Sequence, residues 1–165
     1  MANTYVLISS STVGSGGASS IIFSSIPQTY TDLMIMHSAR ATTGTVAGNV
    51  TFSFNGSSAN FTDKYMYGDG ASATSGSTGG FNAGSTVGST ATANTFGNTS
   101  IYIPNYTSSN YKSFSVDSVD ETNATTTYAV FIAGLWSQTA AITSITLTCA
   151  FAQYSTAYLY GIKNS

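Results

Sequence analysis

Polar and apolar residues alternate along much of this chain, which is the pattern of β-strands whose two faces meet different surroundings. In the segment Asn49–Asn55, Val50, Phe52 and Phe54 fall on one face, while hydroxyl and amide residues fall on the other. The segment Ala141–Phe151 alternates in the same way. No segment keeps the period of about 3.6 residues that marks an amphipathic helix. The pattern therefore predicts an all-β protein.

Candidate strands recur along the whole chain between turns rich in Gly, Ser, Asn and Pro. They are Tyr5–Ser10, Ser20–Ile26, Asp32–Ala41, Asn49–Asn55, Phe61–Tyr67, Ser100–Ile103, Tyr111–Val119, Tyr128–Trp136, Ala141–Phe151 and Tyr158–Ile162. The alternation is weakest in Phe61–Tyr67. We expect residues 1–165 to form one domain, an antiparallel two-sheet β-sandwich of about eight to nine strands, most simply a jelly roll. The predicted core residues are Phe52, Phe54, Phe114, Trp136 and Leu147.

The segment from Gly68 to Thr99 (about 68–99) lacks this alternation. It consists mostly of Gly, Ser, Thr and Ala, interrupted by Phe81 and Phe96. We predict a long loop here. Because loops of more than about 15 residues inside a compact domain are usually functional or disordered, the loop is either a solvated excursion or a contact or receptor tip.

Charge is scarce throughout the chain. Its 165 residues include 4 Lys and Arg and 6 Asp and Glu, while Ser and Thr make up about a third. Neutralising phosphates requires clustered basic residues, so we expect no nucleic-acid partner. Charged side chains also normally protect sheet edges from pairing with other chains. Their scarcity predicts a symmetric oligomer in which copies of the chain cover these edges.

The first residues, Met1-Ala2-Asn3-Thr4, contain neither the positive charge nor the apolar stretch of a secretory signal peptide. Nowhere does an apolar run reach the length of about 18 residues needed for a membrane span. We therefore expect synthesis in a cytoplasm without a signal peptide, and no membrane partner.

The single histidine, His37, lies in the candidate strand Asp32–Ala41 on the same face as Leu33 and Ile35. Zinc sites take several His, Cys or carboxylate ligands, and no second His or suitably spaced Cys accompanies it. We interpret His37 as a structural residue. The single cysteine, Cys149, lies in an apolar strand and is interpreted as a small buried hydrophobic residue.

Asp117, Asp120 and Glu121 form an acidic cluster with three possible interpretations. Paired carboxylates hydrolyse glycosidic bonds where a cleft separates their pKa values, and six or more oxygens in a loop bind calcium. These acids instead follow a strand and precede Thr122-Asn123-Ala124, which is typical of a solvated turn. No Gly-x-Ser-x-Gly motif is present. We expect a non-enzymatic protein with no catalytic residue, metal site or cofactor.

The tyrosines are the more informative residues, because Tyr buries a large area at an interface with little loss of entropy. It is also a good platform for sugars. Several of the 11 tyrosines cluster around Pro104 and near the C-terminus. The candidate interface residues are Tyr5, Tyr102, Tyr106, Tyr111, Tyr158 and Tyr160.

A series of short motifs, in a fixed order, extends over nearly the whole chain. They are Ser25-Ile26-Pro27-Gln28-Thr29-Tyr30-Thr31-Asp32-Leu33, Ser38-Ala39-Arg40, Phe52-Ser53-Phe54-Asn55, Tyr67-Gly68-Asp69-Gly70, Ala91-Thr92-Ala93-Asn94-Thr95-Phe96-Gly97, Ile101-Tyr102-Ile103-Pro104-Asn105-Tyr106, Gly134-Leu135-Trp136, Ala141-Ile142-Thr143-Ser144-Ile145-Thr146-Leu147 and Tyr158-Leu159-Tyr160-Gly161-Ile162-Lys163. The series resembles a family of small virion proteins of tailed bacteriophages, most specifically in its Tyr-Gly-Ile ending. The resemblance implies a β-sandwich component of the virion: a capsid decoration (cement) protein, a head fibre or a tail-associated adsorption module. It implies no catalytic residues.

The expected function is that of a capsid decoration protein, which binds and stabilises the outer capsid surface. Its expected partners are the major capsid protein and copies of itself in a homotrimer, and its expected location is the virion. No elongated shaft is present, which favours this role over a fibre. The alternative is a tail-associated module that binds a receptor or a host-surface glycan. Predicted contact elements are Ala2–Tyr5 and the Tyr102–Tyr111 turn, with the segment 68–99 facing outward.

Overall fold

The computed structural model describes residues 5–79, 82–124 and 126–163, and these residues form strands, turns and loops. The strands are β1 (Tyr5–Thr12), β2 (Ala18–Phe23), β3 (Asp32–Ala39), β4 (Ala47–Phe54), β5 (Phe61–Gly68), β6 (Ala73–Gly76), β7 (Asn82–Val87), β8 (Gly97–Ile103), β9 (Lys112–Val119), β10 (Ala129–Trp136), β11 (Ile145–Phe151) and β12 (Thr156–Ile162). The all-β prediction is confirmed, with twelve strands where about eight to nine were predicted.

The strands form two antiparallel sheets. The larger sheet has the order β1-β12-β3-β8-β9-β10-β5-β6, and the smaller sheet has the order β2-β11-β4-β7. Consecutive strands of the pairs β1/β2, β3/β4, β7/β8 and β11/β12 lie in different sheets. The strand orders β1-β12-β3-β8 and β2-β11-β4-β7 match the two sheets of a jelly roll. In this protein β9, β10, β5 and β6 extend the larger of the two sheets.

The segment 68–99 is more ordered than the long loop that we predicted, since it contains β6, β7 and the start of β8. β7 consists of small residues because it lies very close to the larger sheet. Gly84 has φ of 105°, and a Cβ at this position would lie 3.0 Å from the Cβ of Ser118. Small side chains gave no alternating hydrophobic signal, so the strand was missed. Phe81 lies outside the described residues.

Aromatic side chains join the two sheets at one end of the sandwich. Phe52 and Phe54 on β4 stack with their ring centroids 4.9 Å apart. Phe54 meets the Trp136 ring edge-on at 5.4 Å, and Phe52 meets the Phe114 ring at 4.9 Å. These residues and Leu147 are buried, as the core prediction requires. Burial of the aromatic faces is the main force that holds the sheets together.

The opposite end of the same interior is polar. The inward residues His37, Thr99 and Ser118 come from three neighbouring strands and are buried. Ser118 Oγ lies 2.9 Å from Thr99 Oγ1 and donates to the carbonyl of Ser85 at 2.9 Å. These hydroxyls satisfy backbone groups of β7 and so attach that strand to the larger sheet.

Candidate interaction surface

The outer face of the larger sheet carries large apolar side chains in register. We define this outer face by Leu7, Met34, Met36, Met66, Tyr102, Phe131, Tyr158 and Tyr160. One cross-strand row runs Leu7, Tyr160, Met34, Tyr102, and a second places Tyr158 beside Met36 and Phe131 beside Met66. Because directly paired residues point to the same side of a sheet, these side chains all lie on one face. They form two apolar groups, separated by the outward residues Ser100, Ser115 and Asp117 of β8 and β9.

Several of these side chains are strongly exposed to solvent. The exposed fraction is 60% for Met66, 53% for Leu7, 49% for Phe131 and 46% for Met36. An antiparallel sheet normally alternates between apolar residues facing the core and polar residues facing water. Here large parts of the water side are apolar as well, although the core is already filled from the other side and residues such as Ser100, Asp117 and Lys64 also face outward. Exposed apolar patches of this kind mark interaction sites.

One side edge of the sandwich is also unprotected. β1 ends the larger sheet and β2, which follows it in the chain, ends the smaller sheet. Their sequences, YVLISSST and ASSIIF, contain no charged residue and no proline. A register irregularity between Leu7 and Ser9 is the only edge-protecting feature in β1. These strands therefore present free backbone groups next to the outer face.

The predicted interface tyrosines have different positions. Tyr5, Tyr158 and Tyr160 lie together on the β1–β12 side of the outer face, and the rings of Tyr5 and Tyr160 meet edge-on at 6.4 Å. Tyr102 also lies on the outer face and donates its hydroxyl hydrogen bond to Asp32 at 2.9 Å. Tyr111 is exposed in the turn that precedes β9. The structure thus brings four of the six predicted tyrosines onto one surface.

Tyr106 is the clear error in this set. It is fully buried, its hydroxyl donates to the carbonyl of Pro27, and its own carbonyl accepts from the amide of Ile142 at 3.0 Å. It is a core residue that fixes the turn after β8, so it cannot contact a partner. Of the other predicted contact elements, Ala2, Asn3 and Thr4 lie outside the described residues.

The sequence reasoning missed the methionines and Phe131. The sequence does contain an indication of an apolar outer face, because the segment Tyr128–Trp136 and the Met34-Ile35-Met36 run are apolar on both faces. Such runs also occur in strands that are covered on both sides, so the sequence alone did not distinguish the two cases.

Two of the four basic residues bind the chain's own backbone. Arg40 donates to the carbonyls of Thr92 at 2.8 Å and Ala91 at 3.0 Å. Lys112 is buried, with its Nζ 2.6 Å from the carbonyl of Ser108, 2.8 Å from that of Asn110 and 5.9 Å from the Trp136 ring centroid. Burial lowers the pKa of Lys112. These cations hold loops in place and are not free to bind a partner's acids.

The acidic cluster is dispersed by the fold. Asp117 points outward beside Phe131, while exposed Glu121 accepts a hydrogen bond from the amide of Asn123 at 2.6 Å. Asp120 points inward, is buried and has no hydrogen-bond partner among the described residues. Burial raises the pKa of Asp120 to about 6, and the nearby Ser85 hydroxyl opposes this shift without reaching hydrogen-bond geometry. The solvated-turn interpretation is wrong for Asp120.

His37 is buried, as its position beside Leu33 and Ile35 predicted. Neither ring nitrogen has a partner in hydrogen-bond geometry, and burial lowers the pKa of His37 to about 4. Its imidazole faces the polar end of the interior, away from the outer face. Within the described ranges, no three His, Cys, Asp or Glu side chains come close enough to hold a metal ion.

No protein-family model, curated protein or solved structure matches this chain. Among the residues that the structure describes, no helix is long and apolar enough to cross a membrane.

Proposed function

We propose that this protein is a non-enzymatic structural component of a bacteriophage virion, which decorates the outer capsid surface as a symmetric oligomer. The observation that supports this most strongly is the apolar outer face, which has no role in closing the chain's own core. The chain carries few charges, so the proposed contacts with capsid and neighbouring copies are apolar and hydroxyl contacts.

The outer face is large enough for such a contact. Eight strands spaced about 4.8 Å apart and about eight residues long cover about 34 by 23 Å, or about 800 Å². A standard protein interface buries about this area on each partner. Met, Tyr and Phe, which supply much of the exposed apolar area here, are enriched in interface cores.

The uncharged β1 and β2 edge supports the proposed self-association. In a cyclic oligomer, each copy offers one surface to the next copy and a different surface to the previous one. We propose that the β1/β2 edge of one copy meets the outer face of the next copy around Met36 and Met66, closing a homotrimer. The remaining outer surface then meets the major capsid protein.

The proposal is tested by imaging virions that carry a dense label on this protein. Symmetric label over the capsid shell is the expected result. Label confined to the tail would overturn the decoration role in favour of a tail-associated receptor- or glycan-binding module. A protein absent from the particle would contradict both. The tail module remains the second candidate because an uncharged, tyrosine-lined cleft lies between β4–β7 and β5–β10.

A further inference from the structure

A cleft of about 330 Å³ separates the two sheets where β5 and β10 extend past β4 and β7. Its lining includes Tyr65, Tyr67, Tyr128, Asn49, Asn82 and Ser85. This volume is at the lower end of the range of about 300–1,000 Å³ that is typical of small-molecule sites. The cleft faces the sandwich interior and is separate from the outer face.

The three tyrosines form a continuous aromatic wall. The rings of Tyr65 and Tyr67 stack at 6.1 Å with an interplanar angle of 21°. Tyr128 meets Tyr67 edge-on at 5.7 Å and 76°. All three are half-buried, although they occupy inward positions that elsewhere in the larger sheet hold core aliphatic residues such as Ile132. The wall is therefore fixed in place but still accessible.

The opposite wall supplies amides where a closed core would need large apolar groups. The pairing of β4 with β7 is irregular between Asn49 and Thr51. Bulges of this kind redirect a side chain and are common beside functional sites. Here the neighbouring Val50 is buried in the core, and Asn49 lines the cleft.

Several polar groups of the cleft make no intramolecular hydrogen bond among the described residues. Within the described part of the chain, neither the three tyrosine hydroxyls nor the Asn49 amide makes a hydrogen bond to another side chain or to the backbone. Asn82 uses its Oδ1 to accept from the amide of Gly84 at 2.9 Å, which leaves its Nδ2 free. Convergent free donors and acceptors beside an aromatic wall are the features of a site that orients a polar ligand.

The cleft carries no charge with which to hold an ion. The nearest acid, Asp63, is satisfied by the amide of Thr78 at 2.7 Å and the hydroxyl of Ser77 at 3.1 Å. Burial of Asp63 opposes ionisation, but the hydrogen bonds from Thr78 and Ser77 together lower its pKa below the usual value. A ligand that matches these walls is neutral, has one apolar face for the rings and carries several hydroxyls for the amides. A pyranose has these properties, because its axial C–H groups form an apolar face and its hydroxyls lie around the rim.

We propose that the cleft binds a neutral saccharide, of mono- or disaccharide size, between the tyrosine wall and the Asn49–Asn82 wall. The ring of the sugar packs on Tyr65 and Tyr67. Its hydroxyls bond to the amides of Asn49 and Asn82 and to the phenol of Tyr128. The inference does not depend on capsid decoration. The cleft and the outer face lie on some of the same strands, but no residue that lines the cleft belongs to the outer face.

The test is saturation-transfer NMR on the full chain with glucose, galactose, N-acetylglucosamine, maltose, lactose and anionic N-acetylneuraminic acid at millimolar concentrations. We expect transfer to at least one neutral sugar. Tyr128→Phe removes the phenol that bonds to the sugar and should weaken binding about fivefold, the effect of about 1 kcal/mol for one hydrogen bond. Asn49→Ala removes both the donor and the acceptor of the side-chain amide and should weaken binding by more than tenfold.

Tyr154→Phe is the matched control, because Tyr154 is an exposed tyrosine outside the cleft. This variant should bind the sugar as the wild type does. Unchanged denaturation midpoints show that each variant is folded. Absence of transfer to every neutral sugar, or preferential binding of N-acetylneuraminic acid, would overturn the proposal. Equal binding by wild type and Asn49→Ala would place the sugar elsewhere and overturn it as well. Capsid decoration should be the same for all these variants.

Discussion

The two outer faces of this sandwich differ sharply. On the smaller sheet, the rows Ser20–Thr148–Thr51 and Ile22–Thr146–Ser53 face solvent with hydroxyls, and Ile22 is their one large exposed apolar residue, at 62%. On the larger sheet many equivalent positions hold Met, Tyr, Leu or Phe, although Lys64, Ser100, Ser115 and Asp117 also face outward. Both sheets share one core, so folding alone does not require the difference. We propose that a partner covers the apolar face.

The largest expected effect comes from separating the two sheets. Phe54 on the smaller sheet is fully buried against Phe61, Phe114 and Trp136 of the larger sheet. Phe54→Ala should lower the free energy of unfolding by about 3–5 kcal/mol, through lost burial and the cavity that remains. Chemical denaturation measures the loss. Thr148→Ala on the same sheet is the exposed control and should cost less than about 1 kcal/mol. An unchanged midpoint for Phe54→Ala would refute the assigned strand register.

The difference between the two outer faces is tested most directly by introducing one negative charge on each face. Met36→Glu places a carboxylate in the middle of the outer face of the larger sheet, and Thr148→Glu places one on the smaller sheet. Burying an unpaired charge or facing like charges costs several kcal/mol, so Met36→Glu should weaken self-association by about a hundredfold. Thr148→Glu should leave it unchanged. Sedimentation velocity measures both; equal behaviour of the two variants would remove the distinction between the faces.

The buried groups at the polar end of the interior should make the free energy of unfolding depend on pH, without changing self-association. The folded pKa of Asp120 is raised to about 6, so its contribution to stability is complete below its unfolded pKa and is lost as pH rises through about 6. The folded pKa of His37 is lowered to about 4, so its contribution is complete above its unfolded pKa and is lost as pH falls through about 4. The two effects, each about 3 kcal/mol, oppose each other between about pH 4 and pH 6.

Single variants should reveal each slope. In Asp120→Asn, stability should decrease as pH falls from about 6.5 to 4, because only the His37 effect remains. In His37→Leu, stability should decrease as pH rises from about 4 to 6. Urea denaturation across this range measures both. Parallel slopes in the two variants would contradict the assignment, and a change in association at neutral pH would mean that the polar end reaches the interface.

The smallest expected effect is that of salt. Arg40 and Lys112 are held by backbone carbonyls, and exposed ion pairs contribute only about 0–1 kcal/mol each. Raising NaCl from 0.1 to 1 M shortens the Debye length from about 10 to about 3 Å and should change the association constant less than about threefold. Decoration of purified particles should likewise persist. Dissociation in 1 M salt would indicate an electrostatic interface.

The sequence predicted the parts of the fold in which large apolar residues alternate with polar ones. β4 was found with its inward residues because Val50, Phe52 and Phe54 are large and regularly spaced. β7 was missed because Ala83, Gly84 and Ser85 fit a narrow gap whose existence depends on Ser118 from a distant strand. No local pattern encodes such a close approach.

The sequence predicted that tyrosines contribute to an interaction surface, but it placed only some of them correctly. Tyr106 and Tyr158 are chemically identical, but Tyr106 follows a strand and turns into the core while Tyr158 has the outward phase of β12. Asp120 carried a usable signal, since it continues the inward phase of Phe114 and Ser118 on β9. That phase was outweighed by the expectation that an acid after a strand is solvated.

The central claim is that the outer face of the larger sheet is covered by a partner copy, and methionine oxidation tests it directly. Met36 and Met66 are 46% and 60% exposed in the single chain. Oxidation of a methionine by peroxide follows its accessibility and is read by mass spectrometry. We predict that both oxidise more slowly at protein concentrations where the oligomer forms than after dilution. In addition, Met66 of the Met36→Glu variant should oxidise at the fast rate of the single chain at every concentration. Equal rates for Met36 and Met66 in wild-type oligomer and dissociated chain would contradict the account, because the partner would then contact a different surface.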